Sequence, residues 1–205
     1  MSPLTYTGRL VEAEGEEYPS LVDIAVGLSR QPRFAGQTRR WWSVLDHTLF
    51  CDELVKDIVK PPFDLHTVRL WRLAVLLHDA HEALTADVPT TLKPKALKDI
   101  QGRLDIRIMD AYFPGGSGSY GGWHLDVKAI DRRALMAEAH IVGPPMTYER
   151  TVELFGADGL HTSEDRDLLE NLLAGSEAFG WPPHPGGQEH HPAVREYLRR
   201  VLEVM

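Results

Sequence analysis

The feature that most constrains the fold of this chain is the run Leu70–Leu77, which is apolar on nearly every side. A helix of this kind must be covered by other elements, so we predict a buried central helix over residues 65–83. Five ionisable side chains follow the run within ten residues, and four of them are candidate site residues: His78, Asp79, Glu82 and Asp87. Such groups are expensive to bury unless a cation or a polar partner uses them. The segment therefore joins the centre of a helical core to a polar site.

Amphipathic segments on both sides of this run predict that the rest of the chain is also helical. Ser43 and Asp46 have the spacing of a capping box and predict a helix that starts there and ends before Pro61. Further helices are predicted over residues 23–28, 95–112, 126–142 and 162–179, and from Pro192 onwards. Loops are predicted over residues 31–38, 114–122 and 181–191, the second being Gly-rich and suited to a lid. No segment alternates with period two for long, so we predict an all-α fold.

Length and composition fit one globular domain. The 205 residues, 43% of them hydrophobic and 25% charged, can bury a core that encloses a polar site. We divide the domain into a polar N-terminal segment (1–20), a core (21–145) and a C-terminal helical extension (146–205). The formal net charge of -8 argues against binding of a nucleic acid polymer, although a small phosphate ligand stays compatible with it.

The cysteine content and the apolar runs bear on compartment and on metal type. A single cysteine, Cys51, excludes an internal disulfide and a CxxC zinc site, and it is most simply a small buried apolar residue. No apolar run reaches the roughly 18 residues of a membrane span, and the N-terminus lacks a signal-peptide core. We therefore expect a cytoplasmic protein with no membrane partner.

Helical spacing predicts that polar groups from three helices meet inside the fold. His47 shares a helix face with Phe50 and Leu54, and His78 shares one with Glu82. Asp131 lies on the stripe formed by Val127, Ala134 and Glu138. Two imidazoles and two carboxylates would suit one divalent ion, such as Mn, Co, Zn, Fe, Ni or Mg, with positions left for water and substrate. The predicted metal ligands are His47, His78, Asp79 and Asp131.

A simpler interpretation exists for each of these residues taken alone. A single inward histidine is more often a hydrogen-bonded core residue than a metal ligand. The set favours a metal, because several buried charges need a shared counter-ion. Other catalytic patterns are absent: His81-Glu82 lacks the second histidine of HExxH, and the sequence contains neither a P-loop nor a GxSxG motif.

The same residues resemble a known family. His47, His78-Asp79 and Asp131 are similar to the H…HD…D signature of the HD-domain phosphohydrolases. Within that superfamily, His78–Lys93 resembles the HD-domain 5′-deoxynucleotidases and the phage-type dATP/dNTP triphosphohydrolases, as does the Arg33-Phe34 pair. The resemblance covers about residues 20–140. Asp46 departs from it, since the family has Glu or Gln there, and the Gly-rich loop and C-terminal third leave substrate choice open.

The resemblance implies an HD-domain helical bundle that binds one catalytic divalent metal and hydrolyses a deoxynucleotide, and it implies a homo-oligomer. We expect Glu82 to orient or deprotonate the attacking water, and Asp87 to donate to the leaving oxygen or bind a sugar hydroxyl. Arg33 and Lys93 would neutralise phosphate. Phe34 or Trp42 would stack on the base.

Three functions stay open at this point. The leading hypothesis is a 5′-deoxynucleotidase that releases phosphate from deoxynucleoside monophosphates. A dNTP triphosphohydrolase would use the same ligands and differ in its leaving group and pocket. A non-catalytic nucleotide-binding sensor would retain the pocket without turnover, although the sequence keeps every ligand and Glu82. Hydrolysis of a signalling nucleotide is the weakest alternative, because residues 87–93 resemble the deoxynucleotidases more closely.

Overall fold

The computed structural model describes residues 4–12, 14–58, 63–155, 167–171 and 192–205. Within these ranges the chain is helical with two isolated β-bridges and no strand, so the prediction of an all-α fold is confirmed. The helices are α1 Leu21–Arg30, α2 Val44–Ile58, α3 Leu65–Leu77, α4 Glu82–Thr85, α5 Lys95–Tyr112, α6 Gly116–Tyr120, α7 His124–Ile141, α8 Tyr148–Phe155 and α9 Pro192–Val204, with a 3-10 turn at Arg33–Gly36 and a helical stretch over 167–171. Among the described residues, no helix is both long and apolar enough to cross a membrane.

Helix α3 forms the centre of the fold, as its apolar sequence predicts. Its second half, from Leu73 to Leu77, is completely buried and packs against α2, α7 and α9. The C-terminal helix α9 covers it, and the buried Tyr197 hydroxyl donates a hydrogen bond to the Leu76 carbonyl at 2.9 Å. Each such buried Leu contributes about 1.5–3 kcal/mol of hydrophobic free energy. Helix α9 is therefore part of the packing around α3.

The predicted capping box at the start of α2 is present. The Asp46 amide donates to Ser43 Oγ at 3.1 Å, and the Ser43 amide donates to Asp46 Oδ2 at 2.8 Å. These reciprocal bonds satisfy amides that have no partner within the helix. They also place His47 in the first turns of α2, where it is fully buried.

The predicted helix over residues 65–83 is interrupted, which corrects the sequence interpretation. Helix α3 ends at Leu77, residues 78–81 form turns, and α4 begins at Glu82. His78 Nδ1 donates to the Val75 carbonyl at 2.6 Å, and such a side-chain bond competes with continued helix. His78 and Glu82 are therefore not successive turns of one helix.

The Gly-rich stretch 114–122 is also more ordered than predicted, because it contains α6. The Ser117 amide donates to Asp110 Oδ1 at 2.7 Å, and the Tyr120 ring contacts the edge of Phe113 at 5.6 Å between centroids. These contacts return the stretch to the end of α5. Of the helix predicted over 162–179, only residues 167–171 lie among the described residues, and they are helical; the connection 181–191 lies outside the described residues.

A close contact between α1 and α4 gives a first prediction. A Cβ built on Gly27 would lie 2.6 Å from Ala83 Cβ and 2.8 Å from Ala83 O. Gly27→Ala is therefore expected to lower the free energy of unfolding by about 1–3 kcal/mol, because the backbone of α4 must shift. Urea unfolding measures the change. The control Gly102→Ala adds a Cβ with no atom within 4 Å inside α5. That control should gain about 0.5–1 kcal/mol, and a gain at both positions would contradict the close approach.

Candidate metal centre

His47 lies at the centre of a group of carboxylates. Its ring is fully buried, and Nδ1 donates to Glu138 Oε1 of α7 at 2.8 Å. Since an ionised carboxylate only accepts, the proton resides on Nδ1 and the lone pair of Nε2 faces the other way. Nε2 lies 3.1 Å from Asp131 Oδ1 and 3.7 Å from Asp79 Oδ2. The histidine is thus oriented with its free nitrogen toward two carboxylates.

His78 is oriented in a similar way by the backbone. A carbonyl can only accept, so the 2.6 Å contact with the Val75 oxygen places the proton on Nδ1. The other nitrogen, Nε2, is buried and has no hydrogen-bond partner among the described residues. It lies 3.1 Å from Asp79 Oδ2, and the ring centroid lies 5.4 Å from that of His47.

These distances fit the ligand sphere of a metal ion. His78 Nε2 and Asp79 Oδ2 both carry lone pairs and lie 3.1 Å apart. Two such atoms repel each other at this distance unless a proton or a cation lies beside them. Neighbouring ligands with metal bonds of about 2.1 Å are separated by roughly 3 Å. The buried, unpartnered Nε2 of His78 and the mixed nitrogen and oxygen donors therefore fit a divalent ion.

Cys51 adds a sulfur atom next to this centre. His47, Cys51 and His78 each offer a donor atom, all within 4.8 Å of one another, and such a group could hold a metal ion. The sulfur lies 3.6 Å from Nε2 and 3.9 Å from Nδ1 of His47, so it contacts the ring and is not directed at one nitrogen alone. Burial raises the pKa of the Cys51 thiol to about 11 in the absence of a metal ion. A bound ion would compete with that proton, so Cys51 is a further candidate donor beside the carboxylates of Asp79 and Asp131.

The electrostatics of the group require positive charge at its centre. Burial and the charge of Arg33 oppose a charged ring, but Cys51 and the carboxylates of Glu138 and Asp131 raise the pKa of His47. Burial also opposes ionisation of Asp79, yet the charges of His78 and His47 hold the pKa of that carboxyl well below its usual range. Protons on the two rings or a divalent ion can supply the same charge. We therefore infer that metal binding at this site weakens as the pH falls.

The candidate metal centre opens into a cavity of about 680 Å³. A volume of this size lies within the usual range for small-molecule sites. The side chains that line it come from the 3-10 turn, the α3–α5 connection and α7: Arg33, Phe34, Asp79, His81, Glu82, Asp87, Val88, Pro89, Thr90, Thr91, Lys93, Asp131, Arg132 and Leu135. Asp79 and Asp131 belong to both the metal group and the cavity wall, so a ligand in the cavity would reach a bound ion.

Glu82 is the carboxylate in this cavity that is best suited to proton transfer. Its side chain is buried, Oε2 has no partner among the described residues, and Oε1 lies 3.5 Å from Lys93 Nζ. Burial, followed by the charges of Asp79 and Asp87, raises its pKa to about 8. A group whose pKa lies near the working pH transfers protons most efficiently.

Arg33 connects the cavity to the buried side of the metal centre. Its guanidinium lies 3.4 Å from Glu138 Oε2 and 3.7 Å from Asp87 Oδ2. Burial raises the pKa of Asp87, and the charge of Arg33 opposes that rise. Phe34 stands beside the guanidinium, whose central carbon lies 5.8 Å from the ring centroid, and its φ of 53° is strained for a bulky residue. The 3-10 turn therefore holds a cation and an aromatic ring against the cavity.

Backbone strain at Ala86, directly before Asp87, gives a second prediction. Its φ of 66° and ψ of 159° lie in a region that only glycine adopts freely, at a cost of about 1–3 kcal/mol. Ala86→Gly is expected to raise the free energy of unfolding by about 1 kcal/mol, since relief of strain exceeds the entropy that glycine adds to the unfolded chain. Thermal or urea unfolding tests this. Ala129→Gly, within α7, should instead lose about 0.5–1 kcal/mol, and equal losses at both positions would refute the strain.

The structure brings most of the sequence-predicted site residues together. The four predicted metal ligands form one group, and Glu82, Asp87, Arg33, Phe34 and Lys93 line the adjoining cavity. Trp42 is the exception. It is 4% exposed and belongs to the hydrophobic core, so its predicted role in base stacking is corrected. Trp42, a large aromatic next to the start of α2, is buried by packing against neighbouring helices. Phe34 is the aromatic residue that lines the described cavity instead.

Two residues of the site are missing from the sequence prediction. Helical spacing places Glu138 on the inward stripe of α7 and gives it no role, although a buried carboxylate two turns after Asp131 signals a partner. The sequence pattern gives His81 only a place in an incomplete HExxH motif. It lines the cavity, and Asp105 Oδ1 of α5 accepts a 2.7 Å bond from its Nδ1. Burial opposes a charged ring, but this bond raises the pKa of His81.

Fold and site together define a helical protein whose candidate metal centre opens into a polar cavity. No protein-family model matches the chain. The chain is similar to the uncharacterized protein YfdR of Escherichia coli strain K12, with 33% identity over 93 residues. That match covers 44% of this chain and 45% of the relative, so the chain spans less than half of the relative's length. The name of the relative states no activity.

Proposed function

We propose that this protein is a metal-dependent phosphohydrolase that releases inorganic phosphate from deoxynucleoside monophosphates. The observation that carries the proposal is the shared cavity: the carboxylates of the candidate metal centre, the buried Glu82 and the cations Arg33 and Lys93 all face it. The resemblance of residues 78–93 to the HD-domain deoxynucleotidases supports the same chemistry and is the reason for naming a deoxynucleotide.

The metal centre has a defined ligand set in this proposal. His47 and His78 would hold the ion through their Nε2 atoms, and Asp79 and Asp131 through carboxylate oxygens. A divalent ion bound there would supply Lewis acidity toward a phosphoryl oxygen and toward water. The ion is expected to be Mn, Co, Zn, Fe, Ni or Mg, since imidazole and carboxylate donors suit several of these.

The other residues would bind the substrate and move protons. Glu82 takes a proton from the attacking water. The water oxygen forms a bond to phosphorus, and the bond between phosphorus and O5′ breaks. Asp87, whose pKa burial raises, gives a proton to the departing O5′. Arg33 and Lys93 neutralise the phosphoryl oxygens, Arg33 with two donors and Lys93 as a point charge. The products are inorganic phosphate and a deoxynucleoside.

The charge of the cavity favours a monophosphate over a triphosphate. Within the described part of the chain, its wall carries the carboxylates Asp79, Glu82, Asp87 and Asp131 and the cations Arg33, Lys93 and Arg132. With Asp87 protonated, as its role as proton donor requires, the three remaining carboxylates balance the three cations, and a divalent ion would bring the formal charge of the wall to two positive units. A phosphomonoester carries roughly −1.5 to −2 charges at neutral pH, and a triphosphate adds roughly two more. The smaller anion is therefore better balanced.

The apolar part of the wall provides a place for the nucleobase. Phe34 and Leu135 line the cavity together with Val88 and Pro89. An aromatic side chain offers a flat surface on which a base can stack, for about 1–3 kcal/mol. We place the base against this side and the phosphate against Arg33 and Lys93. Phe34→Ala would accordingly weaken substrate binding more than it slows the chemical step.

A turnover screen tests the proposal. Purified protein is stripped of metal, resupplied with Mn, Co, Mg or Zn, and incubated with each of the four dNMPs and four dNTPs, and the products are separated by chromatography. We expect metal-dependent release of phosphate from dNMPs, with dNTPs intact. Release of triphosphate from dNTPs would replace the proposal with a triphosphohydrolase. If the protein binds nucleotide but shows no turnover with any of the metals, each shown to be bound, the result would indicate a sensor.

A further inference from the structure

The imidazole of His81 lies in the cavity and is positioned by a residue outside it. Nδ1 donates to Asp105 Oδ1 at 2.7 Å, and Asp105 belongs to α5, which does not contribute to the cavity wall. The bond joins the turn before α4 to the middle of α5. It fixes the rotation of the ring, so the direction of the other nitrogen is determined by the fold.

The nitrogen left for a ligand is Nε2. Its nearest described ionic neighbour is Glu82 Oε1 at 3.9 Å, which is too long for a hydrogen bond. Lys93 Nζ lies 3.5 Å from the same Glu82 oxygen. An imidazole nitrogen and an ammonium group thus both lie within 4 Å of one carboxylate oxygen, close enough to each other to contact the same small anion.

A purely structural role accounts for this arrangement less well. A His–Asp pair that only joins two helices needs one ring nitrogen, and the remaining edge is best covered by apolar side chains. His81 instead faces a polar cavity beside the carboxylate proposed for proton transfer. Asp105 holds Nδ1, so Nε2 is the nitrogen that a ligand in the cavity can reach. An imidazolium is a donor at both nitrogens, and in that form His81 donates into the cavity from Nε2 while Asp105 holds its other side.

We propose that His81, positioned by Asp105, binds the phosphoryl group of the nucleoside monophosphate together with Lys93. The inference rests on the proposed function for its substrate, and it adds a phosphate-binding residue that the metal ligands and Arg33 do not supply. His81 contacts the phosphoryl oxygens directly. Asp105 acts through His81 and is a positioning residue.

Kinetics of matched variants give the first test. A hydrogen bond to a charged group is worth about 1.5–3 kcal/mol, so His81→Ala should raise KM for a dNMP roughly 10–100-fold. The turnover number kcat should change little, because the contact exists before and during the reaction. Asp105→Ala should raise KM by a smaller factor than His81→Ala does. Asp105→Glu should bring KM part of the way back to the wild-type value. His66→Ala, an exposed histidine on α3, serves as the control.

A binding measurement separates this inference from the activity. Protein labelled with ¹⁵N-histidine and loaded with a diamagnetic ion is titrated with inorganic phosphate at fixed pH, and the side-chain nitrogen signals are followed. The His81 signal, identified by its loss in His81→Ala, should shift while that of His66 does not. If the protein hydrolyses no dNMP but His81 shifts, the proposed function fails and the phosphate site stands. If dNMPs are hydrolysed while KM is unchanged in His81→Ala and no shift occurs, this inference is overturned and the function stands.

Discussion

Glu82→Gln is expected to lose at least two orders of magnitude in turnover while the protein keeps its divalent ion, if Glu82 transfers the proton of the attacking water. General acid–base groups contribute about 10²–10⁴-fold to rate. The amide has nearly the shape of the carboxylate, so the contact with Lys93 Nζ at 3.5 Å and the packing of α4 should survive. Steady-state kinetics on dNMPs and metal analysis of the same preparation measure the two effects.

The control for this variant is Glu16→Gln, which makes the same change of charge at an exposed position of the N-terminal segment. It should retain wild-type turnover. Glu82→Gln with near-normal turnover would remove Glu82 from the mechanism. Loss of the metal together with turnover would instead make Glu82 part of the ion's binding site, and the assignment of ligands would then need revision.

Glu138→Ala is expected to weaken metal binding about 10–100-fold, the usual cost of removing the partner that orients a metal-bound histidine. Glu138 is fully buried and accepts the Nδ1 proton of His47 at 2.8 Å. It also lies 3.4 Å from Arg33, which would be left buried with Asp87 as its remaining described ion-pair partner. Breaking a buried ion pair costs about 3–5 kcal/mol, so the free energy of unfolding should fall by a similar amount.

Calorimetric titration with Zn or Mn and urea unfolding of the metal-free protein measure these two effects separately. Glu138→Gln keeps an acceptor for His47 and should retain more metal affinity than the alanine variant. This second variant preserves the test if Glu138→Ala fails to fold. Lys128→Ala on the exposed side of α7 should change neither property. Unchanged metal affinity in both Glu138 variants would show that His47 is not oriented through Glu138.

Helix positions followed from local patterns because local interactions determine them. The sequence predicted α5 over its full range and the start of α2, since the capping box at Ser43 and the proline before Lys95 act within a few residues. It failed where hydrogen bonds and ring contacts of side chains compete with helix propensity or add to it. The turn at His78 forms because a side chain takes the Val75 carbonyl, and α6 forms because Ser117 and Tyr120 find partners on α5.

In the site, too, some features could be predicted from local patterns and others depend on contacts between helices. The residue types, spacings and inward faces of His47, His78 and Asp131 could be predicted from periodicity, because a helix repeats every 3.6 residues whatever surrounds it. Trp42 could not, since periodicity does not distinguish an aromatic on a cavity wall from one in the core. His81 could not either, because Asp105 reaches it from a helix 24 residues away.

The sequence by itself determined the all-α fold, the buried central helix and the kinds of side chain that face the interior, since these depend on hydrophobic pattern and on short-range hydrogen bonds. Only the tertiary structure decided the directions in which those side chains point. The Nε2 atoms of His47 and His78 face Asp79 and Asp131 because Glu138 and the Val75 carbonyl occupy the opposite nitrogens. Such orientations depend on distances between separate helices, and these distances arise only when the helices pack together.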